Sequence, residues 1–169
     1  MKLSVTAVAI MALGLLQTSC SRDKVLGLVN LSSSTPEGKV ITRTYDFREI
    51  SSVDVSSGIY VFYTSAPVAE PVKVVGPEDV LEVLTVKCDS DGELELGFEG
   101  RKRFNFAKES DHVKVYISAP DVHSFDLSSG SMVTADKPVV TYSDFSVEAS
   151  SGAYVEFASV KSPKIEIEA

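Results

Sequence analysis

From Val40 onward, apolar and polar residues alternate in short runs that turn residues separate. Val, Ile, Tyr, Phe and Thr recur at every second position of these runs, and Gly, Pro, Ser and Asp interrupt them. A period of two is typical of strands with one buried face, and these residue types favour strands. The clearest runs are 53–63, 94–98, 113–117, 145–149 and 154–157. The pattern predicts an all-β domain over residues 40–169.

Two shorter segments carry signals of their own. Asp91-Gly92 lies between the runs 86–88 and 93–96, and Gly supplies the positive φ that a tight hairpin turn requires. Segment 77–84 begins with Pro and two acidic residues, which suit the first turn of a helix. We predict a hairpin turn at Asp91-Gly92. A single short helix within 77–84 stays open, because its β-branched valines weaken it.

A hexapeptide of the form apolar-acid-apolar-Ser-Ser-Gly recurs along the domain. It occupies 53–58, 125–130 and 147–152, so that its second and third copies are 22 residues apart. A repeat of this length is typical of stacked units that bury one another's apolar faces. The acids should point outward, and Ser-Ser-Gly should make a corner in which Gly adopts a conformation costly for other residues. We therefore predict a single-domain β-solenoid, a β-helix of stacked coils with Ser-Ser-Gly turns.

The last five residues, 165–169, repeat the pattern of 145–149. The pattern would continue with Ser-Ser-Gly, but the sequence stops. We expect the chain to be truncated at its C-terminus, without further coils or a cap. An unpaired strand edge at that end would favour aggregation.

The N-terminus has the organisation of an export signal. Lys2 precedes an uncharged apolar run over 3–16, which is shorter than the roughly 20 residues that a spanning helix needs. The sequence then reaches Ser19-Cys20, which resembles the end of a lipoprotein signal, where the Cys receives acyl chains, palmitate among them, and becomes the new N-terminus. We predict lipid attachment at Cys20.

These features divide the chain into a lipoprotein signal peptide (1–19), a Ser-rich tether (20–39) and the β domain (40–169). Several acyl chains on one Cys give stable anchoring. We therefore expect an outer-membrane protein that contacts the membrane through its N-terminal lipid anchor. Periplasmic and cell-surface orientations both stay open.

The corner motif and its surroundings resemble the head GIN domain family of auto-transporter adhesins. The resemblance runs from about Phe47 to Ala169, and its core is the segment Phe47-x-x-Ile50-x-x-Val53-x-Val55-Ser56-Ser57-Gly58-Ile59-Tyr60-Val61. The family takes its name from Gly-Ile-Asn, for which this chain has Gly58-Ile59-Tyr60. The resemblance implies a β-helical fold, an adhesive role in bacterial lipoproteins, and no known catalytic residues.

The acidic residues of the chain argue against nucleic acid as a partner, and their place in the repeat raises the question of cation binding. The formal net charge is −8, which argues against nucleic acid, because phosphates demand Lys and Arg. Asp54, Asp126, Glu148 and Glu168 hold equivalent places in the repeat. Stacked units would bring these like charges onto one face. The row is then either a solvated face or a weak divalent-cation ladder.

A basic island interrupts the acidic chain at Arg101-Lys102-Arg103-Phe104-Asn105-Phe106-Ala107-Lys108. One interpretation is a solvated loop. The other is a docking site for an acidic glycan or a partner protein, in which Arg101, Lys102 and Arg103 supply charge and Phe104 and Phe106 are anchors.

No arrangement in the sequence indicates an active site, a metal site or a cofactor. The two histidines lie apart with no Cys beside them, and Ser129-Gly130-Ser131 is not a nucleophile elbow. We predict a non-enzymatic envelope or surface lipoprotein that binds a glycan or a protein. The alternatives are a structural or regulatory envelope protein and a polysaccharide-active enzyme that uses outward carboxylates.

Overall fold

The structure, a computed structural model, describes residues 3–11, 33–47, 49–66, 71–100 and 103–169. Strands make up most of these residues. The elements are β1 (Leu3–Met11), β2 (Ser33–Ser34), β3 (Val40–Tyr45), β4 (Ser52–Val55), β5 (Tyr60–Thr64), β6 (Val72–Pro77), α1 (Glu78–Leu81), β7 (Leu84–Cys88), β8 (Glu93–Phe98), β9 (Arg103–Phe104), a 3-10 turn (Glu109–Asp111), β10 (Lys114–Ser118), β11 (Ser124–Leu127), β12 (Met132–Ala135), β13 (Val139–Val140), β14 (Phe145–Ala149), β15 (Tyr154–Ser162) and β16 (Ile165–Glu168). The all-β prediction is therefore confirmed.

The strands form two large mixed sheets and a small pair. The larger sheet has the order β1-β15-β12-β5-β10-β6-β3, with β13 also pairing with β15, and the second has the order β16-β14-β11-β4-β8-β7. Strands β2 and β9 form the pair. Each large sheet contains both parallel and antiparallel neighbours.

The inward side chains of the two large sheets share one core. Burial alternates along the strands, as in β11, where Phe125 and Leu127 are buried and Asp126 is exposed. Phe125 contacts Phe157 of the larger sheet, with ring centroids 5.3 Å apart. The two sheets therefore pack face to face through rings that both contribute.

Three Ser-Ser-Gly corners carry the chain from the second sheet to the larger one. In each corner the second Ser and the Gly both have positive φ; the pairs are Ser57 and Gly58, Ser129 and Gly130, and Ser151 and Gly152. A hydrogen bond across the turn closes each corner, such as the 3.0 Å bond from the Ala153 amide to the Ser150 carbonyl. Two central residues with positive φ define a type I′ turn. The predicted role of Gly is therefore confirmed, and each corner also holds a Ser in the left-handed region.

The β-solenoid prediction is wrong, because the chain does not wind in steady coils. Strand β8 lies between β7 and β4 in the second sheet, although β5 and β6 precede it in the chain. The pairs β3–β6, β6–β10 and β7–β8 are antiparallel, whereas successive coils of a solenoid run parallel. Residues between the first and second corners fold back on themselves, so two mixed sheets result.

The repeat nevertheless predicts which strands are neighbours. Strand β11 pairs in parallel with both β4 and β14, and Phe125 aligns with Val53 and Val147. Strand β16 pairs in parallel with β14, with Ile165 beside Phe145. Equivalent positions of the repeat therefore lie side by side.

Two local predictions can also be compared with the structure. Strands β7 and β8 pair antiparallel around a turn in which Gly92 has φ +82°. The Asp89 carboxylate accepts hydrogen bonds from the amides of Asp91 and Glu93, both at 2.9 Å. The hairpin prediction is confirmed, and α1 is a short helix within 77–84.

The N-terminal predictions extend beyond the described residues. Cys20 and residues 21–32 lie outside them, so that the description of the tether begins at Ser33. Residues 3–11 form β1, which pairs antiparallel with β15. The signal peptide and the lipid attachment stay predictions.

Candidate functional site

The outer surface of the larger sheet carries large apolar side chains. Alternation turns Val61 and Tyr63 of β5 into the core, so Tyr60 and Phe62 face outward. We define the aromatic face as the large apolar and aromatic residues among the outward positions of β5, β10, β12 and β15, namely Tyr60, Phe62, Tyr116, Met132 and Tyr154. Tyr116 is 36% exposed and the other four are half-buried. Because these side chains are neighbours on adjacent strands, they make this surface a candidate binding site.

Rings from neighbouring strands stack along this face. Phe62 and Tyr116 lie side by side in register, with centroids 5.1 Å apart and planes 19° apart. The Lys73 ammonium lies 4.6 Å from the Tyr116 centroid on the far side of the stack, which is a cation–π contact. The ring planes therefore stand roughly perpendicular to the sheet, and each ring face is directed toward a neighbouring strand.

His112 fastens one end of the aromatic face to the first corner. Its ring stacks on Tyr60 with centroids 4.1 Å apart. Its Nδ1 lies 2.8 Å from the Gly58 carbonyl oxygen, and its Nε2 lies 3.2 Å from the Tyr60 hydroxyl. Because a carbonyl only accepts hydrogen bonds, Nδ1 carries the proton, and Nε2 of the neutral ring accepts from Tyr60. Phe106 covers the other side of the His112 ring at 4.8 Å.

One ion pair lies beside this end of the face. The Lys114 ammonium donates to the Glu109 carboxylate at 2.8 Å. Lys114 lowers the pKa of Glu109 through that hydrogen bond, and Glu109 raises the pKa of Lys114. Glu109 is solvent-exposed, so the pair adds little stability.

The predicted basic island is only partly described. Arg101 and Lys102 lie outside the described residues, and Arg103 belongs to β9, whose backbone pairs with β2. Phe104 and Phe106 are half-buried and pack with Phe98 at 5.5 and 6.2 Å. Their rings therefore support the cluster that ends at His112. The binding role of the island stays a prediction.

The outer surface of the second sheet is acidic. In register across five strands lie the outward carboxylates that we call the acidic row: Glu95, Asp54, Asp126, Glu148 and Glu168. A shallow depression lies over part of this row, with Ser52 and Ser124 among its lining residues. Among the residues that the structure describes, no group of three or more His, Cys, Asp or Glu side chains is arranged to hold a metal ion. The cation hypothesis therefore gains no support.

Asp54 lies near the middle of the acidic row and has a raised pKa. Partial burial raises it above its ordinary value of 3.8, and repulsion from Asp126, Glu93 and Glu95 adds to the effect. The folded protein therefore favours the protonated form more than the unfolded chain does. Ionised Asp54 weakens folding, and the loss grows as pH rises from the unfolded pKa through the folded one.

This sign gives a pH-dependent prediction. The Asp54→Asn variant should have a higher melting temperature than the wild type at pH 7, because it removes the ionised form. The difference in melting temperature should vanish below about pH 3.8, where Asp54 is protonated in both the folded and the unfolded wild-type chain. Thermal melts by circular dichroism between pH 3 and 7 measure it. Asp136→Asn, at an exposed position away from the row, controls for the change in net charge, and an equal gain in that variant would contradict the prediction.

The sequence analysis missed the aromatic face. Its signal was present: Tyr60, Phe62 and Tyr116 hold the outward parity of runs in which the neighbouring positions are apolar and buried. A polar residue is expected at such positions of a half-exposed strand. Attention to the outward parity would have found these three residues.

One protein family matches most of the chain. The family profile described as "Putative auto-transporter adhesin, head GIN domain" matches residues 46–169. We found no match among the curated proteins. In the part of the chain with described coordinates, no helix is long and apolar enough to cross a membrane.

Several solved structures share the fold. A "putative adhesin" from Bacteroides fragilis is 20% identical with a TM-score of 0.65, covering 79% of this chain and 59% of that one. A "putative adhesin" from Parabacteroides distasonis is 14% identical with a TM-score of 0.57, covering 70% and 47%. A "putative lipid binding protein" from the same species is 12% identical with a TM-score of 0.53, covering 70% and 49%. The chain thus spans roughly half the length of these proteins.

Proposed function

Because this chain belongs to the head GIN domain family, we propose that it is a non-enzymatic adhesive module that binds a macromolecular ligand through the aromatic face. The single observation that carries the proposal is the outward stack of Phe62 and Tyr116. Aromatic anchors that lose water on binding supply much of the energy at interfaces. The description of the family, "Putative auto-transporter adhesin, head GIN domain", supports an adhesive role.

The position of the face suits such a role. Its strands β5 and β10 lie inside the larger sheet, with β12 on one side and β6 on the other. Hydrogen bonds from both neighbours hold the backbone, so the rings sit on a rigid platform. Rigid aromatic residues lose little conformational entropy when a ligand binds.

We also propose that lipid at Cys20 anchors the module to the outer membrane. The apolar run and the Cys after a small residue support this. The Ser-rich segment that follows would act as a tether between the membrane and the domain. The module would then present its faces at a distance from the lipid surface.

Enzymatic action on a polysaccharide is the second candidate. The observation that favours it is Asp54, a carboxyl group with a raised pKa beside Asp126 in the depression on the second sheet. Paired carboxylates with different pKa values perform glycoside hydrolysis. It takes second place because partial burial, together with repulsion along a regular row of outward acids, already accounts for the raised pKa of Asp54.

Adhesion of coated beads tests the proposed function. Fluorescent beads that carry the proposed mature chain, residues 20–169, should adhere to some spots on a printed panel of glycans and envelope proteins. The double variant Phe62→Ser/Tyr116→Ser should weaken adhesion about tenfold or more, since two interface anchors are lost. Asp126→Asn/Glu148→Gln, on the opposite sheet, is the matched control and should adhere like the wild type. If the Phe62→Ser/Tyr116→Ser variant adheres as well as the wild type, the proposal is contradicted. Release of sugars from the panel would instead favour the enzymatic function.

A further inference from the structure

The outward residues of the larger sheet form two rows that cross β6, β10, β5, β12 and β15 in register, with β5 in the middle. In that order of strands, the first row is Lys73, Tyr116, Phe62, Thr134 and Glu156. The second row is Val75, Lys114, Tyr60, Met132 and Tyr154. Because neighbouring strands lie about 4.8 Å apart, the two ends of each row lie about 9.6 Å from β5 on opposite sides.

The first row carries opposite charges at equal distances from its centre. Lys73 and Glu156 are both exposed, and each lies two strands from Phe62. The Lys73 ammonium lies 4.6 Å from the centroid of the Tyr116 ring, and the Glu156 carboxylate accepts a 2.8 Å hydrogen bond from the Tyr154 hydroxyl. Both charged groups are therefore held beside the rings. A two-fold axis along β5 between two copies of the chain would place Lys73 of each copy opposite Glu156 of the other, as a self-complementary interface requires.

The uncharged residues also match under this axis. In the first row, the large Tyr116 side chain would face the smaller Thr134 side chain of the second copy. In the second row, Val75 would face Tyr154, so that apolar groups meet apolar groups. Neither row would place two like charges opposite each other.

Lys114 is the remaining charge of the two rows, and it would face Met132 of the second copy. Its ammonium already donates to the Glu109 carboxylate at 2.8 Å within the chain. It therefore brings no unpaired charge to the interface. Its methylene stem can lie against an apolar side chain.

The orientation of the rings favours a protein surface over a sugar. Lys73 covers one face of the Tyr116 ring and Phe62 covers the other, so Tyr116 presents its edge outward. A sugar stacks on the face of an aromatic ring, whereas ring edges pack well against other aromatic side chains. A second copy supplies such side chains at matching positions. Two sheets with aligned strands pack face to face about 10 Å apart, a distance that the side chains of both sheets fill.

The size of this surface sets the expected strength of pairing. The five strands span about 24 Å, and five residues along one strand span about 17 Å. Such a footprint is at the small end of specific interfaces, where pairing is weak and reversible. We propose that two copies of the chain pair through the aromatic face, about a two-fold axis along β5. This inference rests on the proposed function and names the partner of that face.

Sedimentation velocity measures the pairing of the unlipidated chain 20–169, under reducing conditions that keep Cys20 and Cys88 as free thiols. The wild type should form a reversible dimer with a Kd on the order of 10–100 µM. Lys73→Glu and Glu156→Lys should each raise Kd about tenfold or more, because each places two pairs of like charges across the interface. Lys87→Glu is the control, since it makes the same change in charge as Lys73→Glu at an exposed position of β7 in the second sheet. It should leave Kd within about twofold, because the screening length in physiological salt is about 8 Å.

Mixing the two charge variants distinguishes complementary charges from general damage to the surface. In an equimolar mixture of Lys73→Glu and Glu156→Lys chains, the mixed dimer regains both pairs of opposite charges. It should therefore form even though neither variant pairs with itself, and the double variant Lys73→Glu/Glu156→Lys should also dimerise. If one single variant fails to fold, the other and the double variant carry the test. A mixture that stays monomeric, a dimer that neither single variant weakens, or a wild type that is monomeric at millimolar concentration would overturn the inference.

The bead assay, with a spot of the chain itself added to the panel, separates the two proposals. If wild-type beads adhere to another spot while the chain stays monomeric in solution, the pairing is wrong and the adhesive face stands. If the chain pairs as expected but no spot, including its own, retains wild-type beads, the pairing stands and the adhesive function is wrong. Adhesion to the spot of the chain itself, lost in Lys73→Glu beads, supports both.

Discussion

Replacing Phe125 with alanine should lower the free energy of unfolding by about 4 kcal/mol, in the range for phenylalanine deletions in a core. Phe125 is 1% exposed and contacts Tyr63 at 5.3 Å and Phe157 at 5.3 Å, both from the larger sheet, and Phe145 at 5.9 Å within its own. Its removal leaves a cavity between two sheets whose backbones are fixed by ladder hydrogen bonds. The surroundings therefore cannot collapse to fill it.

Urea denaturation followed by circular dichroism measures this loss. Val40→Ala is the control, because Val40 is 54% exposed in β3 and its loss should cost less than about 0.5 kcal/mol. Typical domains unfold with 5–15 kcal/mol, so the Phe125 variant should be close to unfolding under mild denaturant. A loss as small as that of Val40→Ala would mean that the two sheets do not depend on a common core.

The repeat made part of the fold predictable from the sequence. Apolar, acidic and corner positions coincide in three copies, and the structure places those copies in neighbouring parallel strands. The reason is physical: identical side-chain patterns pack best on one another when they are in register. The corner also followed from Gly, although the positive φ of Ser57 had no sequence signal.

The inserted strands were not predictable in the same way. Strand β8 alternates Glu and Leu without a corner motif, and alternation is the same for parallel and antiparallel neighbours. Nothing local therefore indicates that β8 lies against β4. That pairing joins residues about 40 apart, and such long-range contacts depend on the closed core rather than on local preference. The β-solenoid prediction is wrong for this reason.

The candidate site was also predictable only in part. The outward parity of Tyr60 and Phe62 is visible in the sequence, but the contact between Lys73 and Tyr116 is not, because it joins antiparallel strands whose register the sequence does not give. The structure also shows that the two outer surfaces differ chemically. One is aromatic with flanking charges, and the other is a row of acids.

Replacing Gly92 with alanine should lower the free energy of unfolding by about 3 kcal/mol or more. Gly92 has φ +82°, which costs other residues about 1–2 kcal/mol. A Cβ there would also lie 2.3 Å from the Glu49 carbonyl oxygen and 2.8 Å from the Ser51 hydroxyl oxygen. The Gly92 carbonyl accepts a 2.9 Å hydrogen bond from the Ser51 amide, so the turn cannot move away without breaking the link between the β7–β8 hairpin and the start of β4.

Gly130→Ala isolates the contact from the backbone strain. Gly130 has φ +72°, and a Cβ there would meet no atom within 4 Å. Its substitution should therefore cost only the conformational part, about 1–2 kcal/mol. Urea midpoints of the two variants, compared at equal slope, give the difference. Equal losses in the two variants would mean that the β7–β8 hairpin can move away from the Glu49 carbonyl at no cost in free energy. The backbone hydrogen bonds between β8 and β4 would then hold these two strands together without the turn.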